Sequence, residues 1–334
     1  MTLPRFVPLL IVALLSCSSC GDGCGREDRA KTDRGRGPTT IAPTTIPPTT
    51  TSTAAPVVSH DGKYVLYRPR RWNVGDVATS EATTVTTGTM TQSTPDGRQS
   101  QLPTVQTTVH ATWIEKAIDV DADGRRTRYL VHLRTWSRTQ GDAPDQSVEG
   151  AFLTVSGLGT ARRWSFVHRE TEATDEAKMW LNEHFGSRGL SDEQWLRILL
   201  PDTDVAVGDS WHPDPVRLGN EMAGSGLTID SSSVGATVTL EAIDGGSARC
   251  LFTGQLKLLR VPNANLAWSR GGTLIFEGDM SASLEPAPLM LSALRGKVTL
   301  EGETTSGDAT VQYDLESEER RTTTAGGEFA EQVR

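Results

Sequence analysis

The sequence predicts a mainly β fold: an antiparallel, strongly curved sheet or half-barrel with a short two-helix insert. Three observations predict it. Apolar and polar residues alternate with a period of two on both sides of an Asp-Gly-Gly turn between 237 and 258. Long Thr-rich runs at 77–92 and 104–118 have the β-branched composition of strands with one exposed face. One stretch, 171–200, switches to the 3.6-residue period of amphipathic helices.

The N-terminus reads as an address. Arg5 precedes an apolar run of ten residues, Phe6 to Leu15. A membrane-spanning helix needs about 20 apolar residues, so the run reads as a secretory signal. The end of the run and the two residues after it, Leu14-Leu15-Ser16-Cys17, resemble the lipobox of bacterial lipoproteins, with Leu at −3, Ser at −1 and a less usual Leu at −2. The resemblance implies a signal peptide of 1–16, cleavage before Cys17, and acylation of Cys17, for example with palmitate. Two alternatives stay open: Cys20, which would place Cys17 at −3 where an aliphatic residue is expected, and a plain secretory cut near Ser19. Three of the four cysteines, Cys17, Cys20 and Cys24, crowd this region and leave Cys250 alone in the body. That distribution argues against a disulfide-stapled domain. Zinc at Cys17, Cys20 and Cys24 is disfavoured because no His lies nearby.

Residues 17–57 read as a tether. A charged patch, REDRAKTDRGRG, is followed by the Pro/Thr-rich GPTTIAPTTIPPTTTSTAAP. Such a segment cannot bury enough apolar surface to offset its ordering entropy. At polyproline II spacing it would reach about 100 Å. Its expected role is to hold a folded body, 58–320, away from an anchoring membrane, with 321–334 as a flexible tail. The chain carries a net charge of −9, and removing the six basic and four acidic residues of 1–57 takes it to −11. That balance argues against nucleic acid as a partner.

The body divides into strand runs. Val238, Leu240 and Ala242 share one face; beyond the turn, Ala248, Cys250, Phe252, Gly254, Leu256 and Leu258 share another, which makes a hairpin. Cys250 then reads as a buried core thiol. Leu274, Phe276, Gly278, Met280, Ala282 and Leu284 form the next strand, and Val298 and Leu300 lead through a turn at 305–308 to Val311, Tyr313 and Leu315. Tyr129, Val131 and Leu133 follow a turn near Asp123-Gly124, with shorter strands at 151–156 and 162–167. Between the halves 58–168 and 201–320, Ala173, Ala177, Trp180, Leu181, His184 and Phe185 recur at helical spacing before Gly186. Ser191-Asp192-Glu193-Gln194 is a capping box that opens a second short helix ended by Pro201. His184, near the first helix's C-terminus, is expected to be cationic there.

An echo links the halves: Val74-Gly75-Asp76 precedes the first set of strands and Val207-Gly208-Asp209 the second, each with a Trp close by. Duplication and chance are both compatible with three shared residues. The sharpest stretch of the body, Leu-Leu-Pro followed by Val207-Gly208-Asp209-Ser210-Trp211, resembles an uncharacterised family of bacterial envelope lipoproteins that share such a motif after a short helix. That resemblance implies location and architecture and assigns no activity. The layout of curved sheet and helix is also similar to that of the Lol-type lipoprotein carriers.

Three motifs invite catalytic or metal readings. Gly208-Asp209-Ser210 and Asp209-x-x-His212 mimic the blocks of one esterase class, yet both fall on the same residues, and one side chain cannot occupy two corners of a triad. Asp119, Asp121, Asp123 and Gly124 match the first half of an EF-hand loop, but Leu130 stands where its bidentate Glu belongs. The six His are scattered, with no pair at i, i+4. The sequence therefore predicts a structural motif at 207–211, no catalytic residue, no metal and no cofactor. The expected protein is a non-catalytic lipoprotein tethered to the cell envelope, at the outer membrane or cell surface, that binds an apolar ligand or another envelope protein. A structural spacer and a secreted hydrolase are the alternatives.

Overall fold

The computed structural model describes residues 61–67, 71–102, 104–140, 144–158, 161–186, 192–224, 228–260, 267–284, 291–306 and 309–329. The signal, Cys17 and the tether lie outside them, as does Ser191 of the predicted capping box.

Chain order is β1 (Val77–Ser93), β2 (Gln99–Gln101), β3 (Val105–Val120), β4 (Arg126–Thr139), β5 (Pro144–Asp145), β6 (Phe152–Ser156), β7 (Arg163–His168), α1 (Asp175–Phe185), α2 (Asp192–Leu199), β8 (Ser210–Trp211), α3 (Pro215–Gly224), β9 (Thr228–Asp244), β10 (Ser247–Arg260), β11 (Ala267–Ser283), β12 (Leu291–Ser306) and β13 (Ala309–Ala325). The strands form one antiparallel sheet in the order β7-β6-β4-β3-β1-β13-β12-β11-β10-β9-β8, with β2 beside β1 and β5 beside β4. It is a curved sheet that does not close into a barrel.

The topology has two legs. The chain starts mid-sheet at β1 and meanders outward to β7. It crosses by α1 and α2 to the opposite edge at β8, then meanders back until β13 zips against β1, from Ala78↔Ala325 to Ser93↔Thr310. Each leg has its own apolar core. The first packs Trp113, Val131, Leu133, Trp136, Leu153 and Val155 against Ala177, Trp180, Leu181 and Phe185 of α1. The second packs Val238, Leu240, Cys250, Phe252 and Met280 against Leu196 and Leu199 of α2 and Leu66 of the entering chain. Between the cores, the inner face of β1 and β13 is small and polar: Ser80 bonds Thr323 at 3.1 Å and Thr86 bonds Ser317 at 3.0 Å, all buried. Pairing these hydroxyls with each other removes the penalty for burying them.

α1 begins later than the sequence predicts. Thr174 caps it, accepting from the Ala177 amide at 3.1 Å, so 171–174 stay outside. Such a cap contributes on the order of 1 kcal/mol. α3 is an addition to the expected two helices. Asp214 caps it through the Val216 amide at 2.8 Å, Pro215 takes the first helical position, and the helix packs along β9 beside the short edge strand β8.

The predicted tail needs correction. β13 runs to Ala325, five residues past the expected boundary at 320, and 326–329 fold back over the outer face. There Gly326 donates to the Val77 carbonyl at 2.7 Å, Arg134 donates to the Glu328 carbonyl at 2.7 Å, and Phe329 meets Phe152 edge-on. These two hydrogen bonds and the aromatic contact help to hold the segment, and composition alone hid them.

Candidate functional site

The residues singled out at 207–211 lie where α2 hands the chain to the edge of the sheet. Asp209 donates its amide to the Ala206 carbonyl at 3.0 Å, and its carboxylate takes the Ala206 amide at 2.9 Å. Gly208, at φ +95°, supplies the left-handed backbone that this turn requires. Gly208 and Asp209 then bond Leu240 of β9: the Gly208 amide reaches its carbonyl at 2.7 Å, and the Leu240 amide reaches the Asp209 carbonyl at 3.0 Å. Ser210 is exposed and shares a 2.7 Å hydrogen bond with Thr239. Trp211 lays its ring on the second core and donates its indole N–H to the Leu199 carbonyl at 2.6 Å, which satisfies a free carbonyl in the last turn of α2.

The echo at 74–76 repeats this geometry bond for bond. Asp76 donates its amide to the Asn73 carbonyl at 3.1 Å and accepts the Asn73 amide at 2.7 Å; Gly75 sits at φ +91°. The Gly75 amide meets the Ala117 carbonyl at 2.9 Å, and the Ala117 amide meets the Asp76 carbonyl at 2.9 Å. Ala117 of β3 and Leu240 of β9 also mark the same irregularity. Pairing slips by one residue just after each, with Ala117↔Tyr129 followed by Asp119↔Arg128, and Leu240↔Cys250 followed by Ala242↔Arg249. The two turns each end in a β-bulged hairpin, and the bulges sharpen the local twist of the sheet. Val74 and Val207 point outward in both copies, 69% and 50% exposed.

The catalytic readings find no triad here. Ser210 bonds Thr239, whereas His212 Nδ1 lies 3.0 Å from the Ala236 carbonyl oxygen, so hydroxyl and imidazole serve different partners. At the EF-hand-like turn, Arg125 occupies Asp121 at 2.8 Å and Asp123 at 3.1 Å, and Arg128 occupies Asp119 at 2.8 Å. These carboxylates answer guanidinium groups. Among the described residues, no group of three or more His, Cys, Asp and Glu is placed to hold a metal ion.

A charged pair that sequence reasoning missed sits beside the first core, between it and Trp72. Glu115 pairs with Arg126 and accepts from the Trp113 indole at 3.1 Å. Arg126 is held between the Trp72 ring, 3.9 Å away, and the Tyr129 ring, 4.4 Å away. Burial works against the Glu115 carboxylate, but Arg126 and the indole outweigh it and hold the group below the usual carboxylate range. His184 stacks on Trp180 at 4.1 Å and meets Trp113 edge-on. Burial pushes its pKa down to about 4, with Arg321 and Arg162 adding to the effect. The expected cationic histidine is therefore neutral at pH 7, because desolvation outweighs the helix dipole. Spacing along the sequence could not reveal this, since Trp113 reaches α1 only through the tertiary fold.

Cys250 is a free, buried thiol on the inner face, and burial pushes its pKa up to about 12. The native protein should resist alkylation at this site for as long as it stays folded and react at once in denaturant. Rapid labelling of the native protein would place the residue on the wrong face.

Neither a protein-family model nor a curated protein sequence matches the chain.

Proposed function

We propose that the protein is a membrane-anchored lipoprotein of the cell envelope whose β body binds a ligand or partner without catalysing a reaction. The observation that carries this reading is Leu14-Leu15-Ser16-Cys17 at the end of a ten-residue apolar run and ahead of a Pro/Thr-rich tether. Acylation of Cys17 would fix the protein to the outer membrane or cell surface, and the tether would let the body stand off from it. Two features of the body favour binding over chemistry. Its sheet is open, with an inner face shared between two cores, and the motif that most resembles a nucleophile has each polar group committed to a turn or a strand neighbour. Among the described residues, no helix is long and apolar enough to cross a membrane. A secreted hydrolase has less support, because Ser210 and His212 have separate partners.

The test is fractionation of Cys17→Ala. The variant should leave the membrane pellet and accumulate unprocessed or soluble. Normal membrane partitioning of both Cys17→Ala and Cys20→Ala would overturn the anchor.

A further inference from the structure

Residues 326–329 cross the outer face of the first leg along one row of paired side chains. Register sets Thr79 opposite Ile114, Ile114 opposite His132, and His132 opposite Phe152, on β1, β3, β4 and β6. Alternation turns Ile114, His132 and Phe152 away from Trp113, Val131 and Leu153 of the core. Outward residues ordinarily meet water, yet Ile114 is 0% and Phe152 8% exposed. The segment follows the row. Thr79 Oγ1 donates to the Gly326 carbonyl at 3.0 Å, Arg134 donates to the Glu328 carbonyl, and Phe329 stands against Phe152 with Lys116 Nζ 5.9 Å from its ring.

Two features make this crossing reversible. Gly326 and Gly327 turn the chain out of β13 at φ +92° and +129°, backbone that favours glycine, and a Cβ on Gly327 would collide with Thr79 Oγ1. Phe329 stays half-buried and Glu328 exposed, so little burial opposes detachment. Beneath the segment lies an ionisable ring. His132 stacks on Phe152 with centroids 4.1 Å apart, and its buried Nδ1 has no hydrogen-bond partner among the described residues. A protonated imidazole donates from both nitrogens, and here Nδ1–H would meet no acceptor among them. The surrounding charges also oppose a proton. Arg134 on β4 and Lys116 on β3 are cationic, His168 on β7 lies beyond Phe152, and Glu328, the one carboxylate of 326–329, is exposed. Burial and the Arg134 guanidinium accordingly hold the His132 pKa below its ordinary 6.5.

We propose that 326–329 is an acid-released strap: it closes over the row while His132 is neutral, and it lifts on the Gly326-Gly327 hinge when the ring takes a proton. Lifting lets water reach the imidazole and bares Ile114 and Phe152. Above about pH 6.5 the open and closed forms are both neutral at His132, and closure is at full strength. As the pH falls below that, the open form binds the proton first and closure weakens. The device belongs to the body alone and stands whether or not Cys17 carries lipid.

Fluorine NMR of the full-length chain labelled with 4-fluorophenylalanine reads the strap. The seven phenylalanines give seven signals, and the one lost in Phe329→Leu is assigned. Between pH 7.5 and pH 5.5 that signal should move toward the position of the free amino acid, with the open-to-closed ratio rising about threefold or more. In His132→Gln it should stay in place. Should that variant fail to fold, Phe329→Ala gives an independent reading. Without the ring over Phe152, the NMR titration of His132 should shift up toward 6.5 from a lower midpoint in the wild type. A Phe329 signal that ignores pH, one that moves equally in His132→Gln, or a His132 midpoint unchanged by Phe329→Ala would overturn the strap.

Discussion

Trp211→Ala is expected to destabilise the protein by about 3 kcal/mol, the lower end of the range for truncating a packed aromatic, because the ring is partly buried. For a domain of this size that lowers the melting temperature by roughly 6–12 °C. Two losses combine. The second core loses its ring at the sheet edge, and the Leu199 carbonyl loses the donor that ends α2. Ser210→Ala, one residue away, should shift the midpoint by no more than a degree or two, since its exposed bond to Thr239 can be replaced by water. The pair separates a structural motif from an active site. Were Ser210→Ala to leave the melting curve unchanged while abolishing labelling by a serine-directed fluorophosphonate, the structural account of 207–211 would fail and the hydrolase reading would replace it.

Acid should weaken the protein through His184. Its pKa falls from the ordinary 6.5 to about 4 on folding, so the folded state resists a proton that the unfolded chain accepts. Above about pH 6.5 both states are neutral there and nothing is lost. As the pH falls from 6.5 through 4 the unfolded state gains the proton first. Stability then drops by about 1.4 kcal/mol for each pH unit between those two values, roughly 3 kcal/mol in all. His184→Gln removes the titration. Between pH 7.5 and pH 4, denaturant titration should show the wild type losing about 3 kcal/mol more than the variant. Equal losses would place the histidine in contact with water. The charged groups around it, Glu115, Arg162 and Arg321, stay common to both proteins.

Much of this fold is legible in the sequence wherever hydropathy alternates. The run Ala248, Cys250, Phe252 puts its side chains inward as read, and Ala177, Trp180 and Leu181 form the buried stripe of α1. Legibility ends where the inner face is not apolar. Ser80, Thr84 and Thr86 are buried on β1, but their hydroxyls give no contrast with the outward Thr79 and Thr83, and the β1–β13 pairing spans more than 200 residues. α3 escapes because Leu218 and few other apolar residues mark it, although Asp214-Pro215 carried its cap signal. The Val-Gly-Asp turns are legible as letters. Their equivalence becomes clear only through Ala117 and Leu240, whose shared role is carried by backbone amide and carbonyl and leaves no motif in the sequence.

Whether lipid on Cys17 holds the body to a membrane is tested most directly by the mass of the N-terminal peptide from protein recovered in the membrane fraction. The expected peptide begins at Cys17 and carries a diacylglyceryl group on its sulfur. A peptide that begins elsewhere without lipid, or one that retains the apolar run Phe6–Leu15, would contradict the anchor.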